Sequence, residues 1–170
     1  VYIGRYRQLL FYEDENDVDG KELQEVALHE GFHRYAHQAL PGCPTWLNEG
    51  LAEVFAEELG GGTRVLEGRL TDLEEAITSG TCPTVAALLR MNQPAFYADA
   101  ATNYAAGWAL SRFLARGPAP APARAALQAF LARLREGGNA DQARDETFAG
   151  VDLAALDRAW RSYVRSLRAR

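Results

Sequence analysis

The sequence lacks several features that would assign it to a common functional class. No apolar run approaches the roughly 20 residues that a membrane-spanning helix needs. The chain has no G-x-S-x-G elbow, no glycine-rich phosphate loop and no C-x-x-C pair, so serine-hydrolase, nucleotide-binding and redox functions have no support. Basic residues are outnumbered, with 18 Lys and Arg against 23 Asp and Glu and a formal net charge of −5. This balance argues against a nucleic-acid partner.

Cysteine is rare as well, and only Cys43 and Cys82 are present. The two can form one disulfide in an oxidising compartment or stay as two small buried hydrophobic residues in the cytosol, and the sequence leaves both open. The composition is 48% hydrophobic and 24% charged over 170 residues, which is typical of one globular domain. Heavy use of alanine favours helix over sheet.

The order of patterns along the chain predicts a small N-terminal sheet followed by helices. Residues 1–12 are rich in β-formers and are expected to give one or two strands. From about residue 20 to 40 the pattern is helical, with Leu28, Phe32 and Tyr35 on one apolar stripe. The other predicted helices are 46–60, 71–79, a short one from 83, 98–116, 124–136, 140–148 and one capped by Asp152. The alternating Pro and Ala of 118–122 predict an extended spacer, which divides the chain into a core, 1–117, and a helical segment packed on it, 118–170.

The motif that carries chemistry is His29-Glu30-Gly31-Phe32-His33, which matches H-E-x-x-H inside the first predicted helix. Residues four apart lie one above the other on a helix, so both imidazoles can reach one metal ion. Glu30 points about 100° away from His29 and can reach a water on that ion without being a ligand. The alternative is that the two histidines only form a polar edge of the core.

A second segment, Trp46-Leu47-Asn48-Glu49-Gly50, makes the metal interpretation specific. Together with H-E-x-x-H it resembles the gluzincin clan of zinc metallopeptidases, and W-L-N-E-G is similar to the aminopeptidase branch. The resemblance implies an α+β, mostly α, zincin-like fold with one Zn²⁺ held by His29, His33 and Glu49, and with Glu30 as general base. The spacing between His33 and Glu49 is shorter than in the best-known branches, and compact bacterial peptidases are the nearest likeness.

The resemblance to the gluzincin clan also suggests further site residues. Glu53 lies one turn after Glu49, where thermolysin-like enzymes place an acid that accepts the free N–H of a metal-bound imidazole; a solvated acid is the alternative. Tyr104 resembles the tyrosine that donates to the oxyanion in the aminopeptidases, with Tyr97 in reserve; an aromatic core stripe is the alternative. His37 is about 12 Å along the helix from His29, too far to share one ion, so we expect a cleft or surface residue.

The expected function is hydrolysis of a peptide or protein substrate by metal-activated water. Endopeptidase and aminopeptidase activity both stay open, as does the oligomeric state. Two other classes remain: a catalytically silent zincin-like module whose metal is structural, and a metal-free helical interaction domain with a chance motif. Because the chain begins at Val1, removal of an upstream signal and a bacterial periplasmic or secreted location are one expectation for an otherwise open localisation.

Overall fold

The computed structural model describes residues 2–3, 8–9, 20–60 and 63–167. In chain order the elements are β1 (Tyr2–Ile3), β2 (Gln8–Leu9), α1 (Lys21–Ala39), α2 (Thr45–Gly60), α3 (Thr63–Ser79), α4 (Val85–Leu89), α5 (Gln93–Ala98), α6 (Ala100–Ala115), α7 (Ala121–Arg135), α8 (Ala140–Thr147) and α9 (Leu153–Leu167).

The predicted α+β fold is wrong, because the domain is all-α. The described β structure is one antiparallel pairing of two residues per strand, Tyr2 with Leu9 and Ile3 with Gln8. Such a pair is too short to form a layer that covers a core. The β-forming composition of residues 1–12 was therefore weak grounds for a sheet, and the rest of that segment lies outside the described residues.

Most of α6 is buried, and this helix is the centre of the domain. It packs against α2 and α3 on one side and also contacts α4, α5, α7 and α9, while α1 lies on α2. Three tryptophans from different helices, Trp46, Trp108 and Trp160, are almost completely buried in the same hydrophobic cluster. The helices of the C-terminal third thus share one core with α1, the helix that carries the H-E-x-x-H motif, and with α2.

Several sequence-based helix predictions need correction. The stripe assigned to α1 is wrong at Tyr35, which is 58% exposed, whereas Ala36 is buried. α3 begins at Thr63 rather than 71, and α7 begins at Ala121 with a proline in its first turn, so the predicted spacer is shorter. α5 was missed, although its signals are present: Asn92 accepts a hydrogen bond from the Ala95 N–H, and a proline stands in the first turn.

Helices α2 and α6 approach each other closely at two glycines. A Cβ on Gly50 would collide with the carbonyl group of Gly107 and the hydroxyl of Ser111, and a Cβ on Gly107 would lie 2.9 Å from the Trp46 carbonyl oxygen. Backbone and small groups therefore touch directly at this crossing. Glu49, the residue before Gly50, is consequently held at a fixed position relative to α6.

We predict that Gly50→Ala lowers the free energy of unfolding by about 1–3 kcal/mol, because two backbones must move apart to admit the methyl group. Gly68→Ala is the matched control: Gly68 is an exposed residue of α3 with nothing near its would-be Cβ, so the substitution should stabilise the protein by up to ~1 kcal/mol. Urea unfolding of both variants measures the difference. Equal stability of the two variants would contradict the close approach.

Candidate metal centre

The side chains of His29, His33 and Glu49 meet between α1 and α2. His29 and His33 are one helical turn apart on α1, and Glu49 lies in the first turns of α2, after a short connection through Pro41 and Gly42. The connection turns at Gly42, whose φ of 70° favours glycine. The structure thus brings together the three residues that the sequence predicted as metal ligands.

The three facing atoms form a compact triangle. The Nε2 atoms of His29 and His33 are 2.9 Å apart, and the Glu49 Oε2 atom is 3.4 Å and 3.3 Å from them. Four ligands placed about 2.1 Å from a tetrahedral ion are separated by about 3.4 Å. The two edges to Glu49 match that value and the edge between the imidazoles is shorter, so the group could hold a metal ion after a small separation of the two rings.

Burial strengthens this fit. Glu49 is only 5% exposed, yet among the described residues its Oε2 atom has no hydrogen-bond partner of normal geometry. A buried carboxylate oxygen without a partner is costly unless a cation or a donor satisfies it. The donor set of two imidazoles and one carboxylate is the set that catalytic zinc sites use with a fourth position open.

Electrostatics keep the Glu49 carboxyl ionised. Burial alone would raise its pKa, but the two imidazoles and the Tyr97 hydroxyl outweigh burial and hold the pKa below its ordinary value. Tyr97 donates to Glu49 Oε1 at 2.8 Å, the oxygen that does not face the imidazoles. The pKa of Tyr97 is raised in turn, because burial and the adjacent Glu49 carboxylate both disfavour the phenolate. Glu49 is therefore negatively charged, and the Tyr97 hydroxyl holds its Oε1 atom while Oε2 faces the imidazoles.

The pKa of His33 is raised above its ordinary value even though burial acts in the opposite direction. The carboxylate of Glu49 contributes most to the rise, followed by Asn48 and the charge of Glu30. Glu30, half-buried on α1, is thus close enough for its charge to act on His33. Asn48 belongs to the W-L-N-E-G segment but was not singled out from the sequence.

Glu53 lies where the sequence placed it, one turn beyond Glu49 and 6% exposed. Its Oε1 atom is 3.5 Å from His29 Nδ1, the ring nitrogen on the far side from Glu49. Its carboxylate also accepts two hydrogen bonds from Arg69 of α3, at 2.9 Å and 3.3 Å. Sequence analysis missed Arg69, because no motif includes it.

Tyr104 is half-buried on α6 among aromatic side chains. Its ring packs edge-on against Phe96 with centroids 5.3 Å apart, and it lies 6.3 Å from the Tyr97 ring. Burial and the nearby charge of Glu49 raise its pKa. The side chain therefore adjoins the site and also belongs to an aromatic cluster, and its role as oxyanion donor stays a prediction. Tyr97, the reserve candidate, donates a hydrogen bond to Glu49.

A cavity of about 440 Å³ opens beside the triangle. Its lining includes His33, Glu49, the exposed His37, and Cys43 in the loop before α2. His37 is a cleft residue, in keeping with its position two turns from His29. Cys43 and Cys82 are free thiols, and burial raises their pKa values to about 12 and about 11. The disulfide alternative does not describe this structure.

Comparisons with protein-family models, with curated proteins and with solved structures find no match for this chain. The described helices include none whose length and apolar character would suit a bilayer span. The assignment of a function accordingly rests on the geometry of the site and on the resemblance of its motifs.

We predict that the chelator-treated protein becomes less stable as the pH rises above about 6.5, the ordinary pKa of histidine. The raised pKa of His33 means that its contribution to stability is fully present below 6.5 and is lost as the pH passes the folded-state value. The lowered pKa of Glu49 gives a contribution that is present above 4.5 and is lost only on acidification. Thermal melts in chelator should show the decline for the native chain and a weaker one for His33→Gln. An equal decline in both proteins would contradict the role of His33.

Proposed function

We propose that this chain is a zinc-dependent hydrolase of the gluzincin type that cleaves peptide bonds. The observation that supports it most is the triangle of His29 Nε2, His33 Nε2 and Glu49 Oε2, whose edges are 2.9, 3.4 and 3.3 Å. Three ligand atoms at tetrahedral spacing leave one position for water or substrate, which distinguishes a catalytic from a closed structural site. A cavity lined by two of the three ligands, His33 and Glu49, lies beside the triangle.

Zinc is the ion that suits this donor set. Two neutral imidazoles and one carboxylate are typical ligands of Zn²⁺ in hydrolases, whereas Mg²⁺ and Ca²⁺ prefer oxygen ligands alone. When bound, zinc lowers the pKa of a water molecule towards about 7 and polarises a carbonyl oxygen. The residues of the chain provide the remaining functions.

Glu30 is the proposed general base. It is adjacent to His29 in sequence, half-buried, and its charge acts on His33. A carboxylate at this place can accept the proton of the attacking water and return it to the leaving amine. A structural metal site needs no such base, which favours hydrolysis over the alternative of a catalytically silent module.

The hydroxyl of Tyr104 is the proposed donor to the oxyanion, with Tyr97 in reserve. Tyr97 donates a hydrogen bond to Glu49 Oε1, and the raised pKa values of both tyrosines keep them protonated at neutral pH. A protonated phenol is a hydrogen-bond donor to a developing negative charge. Tyr97 is 44% exposed and is thereby accessible to a substrate.

The first test is metal content after overexpression, dialysis and elemental analysis. The native chain should retain about one zinc per molecule, and His33→Gln should lose it because two ligands rarely hold zinc. His37→Gln is the matched control, since it changes a histidine on the same helix, one turn further along. Loss of zinc from both variants, or its absence from the native chain, would contradict the proposed ligand set.

The second test separates catalysis from metal binding. Glu30→Gln should reduce cleavage of a peptide library by about 10²–10⁴-fold, because the proton acceptor is removed while the three ligands stay. Zinc content should be unchanged. Chelator should abolish cleavage by the native chain, and zinc should restore it. Stoichiometric zinc without hydrolysis in the native chain would favour the silent module, and full activity of Glu30→Gln would eliminate the mechanism.

A further inference from the structure

We infer that Arg69 is a positioning residue of the metal centre: it holds Glu53 so that Glu53 orients the imidazole of His29. The inference rests on the proposed metal site. It assigns a role to α3, a helix that carries no part of the H-E-x-x-H or W-L-N-E-G segments.

The geometry forms a chain of contacts from α3 to the metal ligands. Arg69 donates from Nη2 to Glu53 Oε1 at 2.9 Å and from Nε to Glu53 Oε2 at 3.3 Å. The same Oε1 atom lies 3.5 Å from His29 Nδ1. His29 Nε2, on the other side of the ring, faces His33 and Glu49. The orientation of one ring therefore depends on a carboxylate that is held by one guanidinium.

Arginine suits this position better than any other cation. Its planar guanidinium contacts both oxygens of a carboxylate and fixes the carboxylate plane, which a lysine ammonium cannot do. Glu53 is 6% exposed, and a buried carboxylate is stable only when it is paired. Without Arg69, Glu53 would lose the partner that fixes its carboxylate plane, and His29 Nδ1 would lose a fixed acceptor.

Arg69 also contacts the ring of Tyr104, the proposed oxyanion donor. Its guanidinium carbon lies 5.0 Å from the centre of the Tyr104 ring, within the range of a cation–π contact. One side chain of α3 thus contacts both the acid behind His29 and the aromatic side chain beside Glu49. A substitution there should disturb metal binding more than its distance from the ligands suggests.

A purely structural ion pair is the competing explanation, and the chain contains a matched example of one. Glu57, one turn after Glu53 on α2, accepts hydrogen bonds from Arg112 of α6 and from the Trp108 indole. Arg112 also contacts the Trp108 ring. This pair has the same residue types on the same helix but touches no predicted metal ligand.

The experiment compares zinc affinity and thermal stability for the native chain, Arg69→Met, Arg69→Lys and Arg112→Met. Zinc dissociation constants are measured by competition with a chromophoric chelator, and melting is followed for the chelator-treated proteins. We expect Arg69→Met to weaken zinc binding by about 10- to 100-fold, the effect typical of lost partners of metal-bound imidazoles. Arg69→Lys keeps the positive charge but cannot contact both carboxylate oxygens, so it should give a smaller loss of zinc affinity. Arg112→Met should lower the melting temperature and leave zinc affinity unchanged.

Each other outcome overturns the inference. Zinc affinity of Arg69→Met within twofold of the native value would reduce Arg69 to a structural residue, as would an equal loss of affinity in Arg112→Met. If Arg69→Met does not fold, the comparison of Arg69→Lys with the native chain decides in the same way. A native chain that binds no zinc refutes the proposed function and the inference together, whereas native binding with unaltered variants refutes the inference alone.

Discussion

The direct contact between α2 and α6 is the constraint on which the candidate site depends. Gly50 and Gly107 lack side chains at the crossing, so the two helices approach until backbone atoms touch. This approach fixes Glu49, the neighbour of Gly50, between the imidazoles of α1 and the aromatic side chains of α5 and α6. A wider crossing would move Glu49 relative to its partners, because a helix moves as a rigid unit.

Three acids spaced four residues apart give α2 its particular character. Glu49, Glu53 and Glu57 lie along one face of the helix. Glu49 meets both imidazoles and a tyrosine, Glu53 meets His29 and Arg69, and Glu57 meets Arg112 and an indole. Such pairing satisfies carboxylates that are largely removed from solvent. The exception is one oxygen of Glu49. An incompletely satisfied group within an otherwise paired network is typical of a site that binds a ligand.

The helical part of the fold followed from local patterns, whereas its class did not. Apolar periodicity and capping residues such as Asp152 predicted most helices, since these signals act over a few residues. The α+β class was inferred from twelve N-terminal residues and is wrong. The exposure of Tyr35 was also missed. A periodic stripe shows that a helix has two faces, but the neighbouring helices decide which residues of the stripe are covered.

For the site, the sequence by itself determined the spacing of His29 and His33 and the presence of an N-E-G segment, because helical geometry makes residues four apart neighbours. Only the tertiary structure decided that Glu49 turns towards these imidazoles, and that Tyr97 and Arg69 support the site. Those contacts join separate helices whose relative placement comes from packing around α6. No local pattern records a contact of that kind, since its energy belongs to the assembled core and not to any one segment.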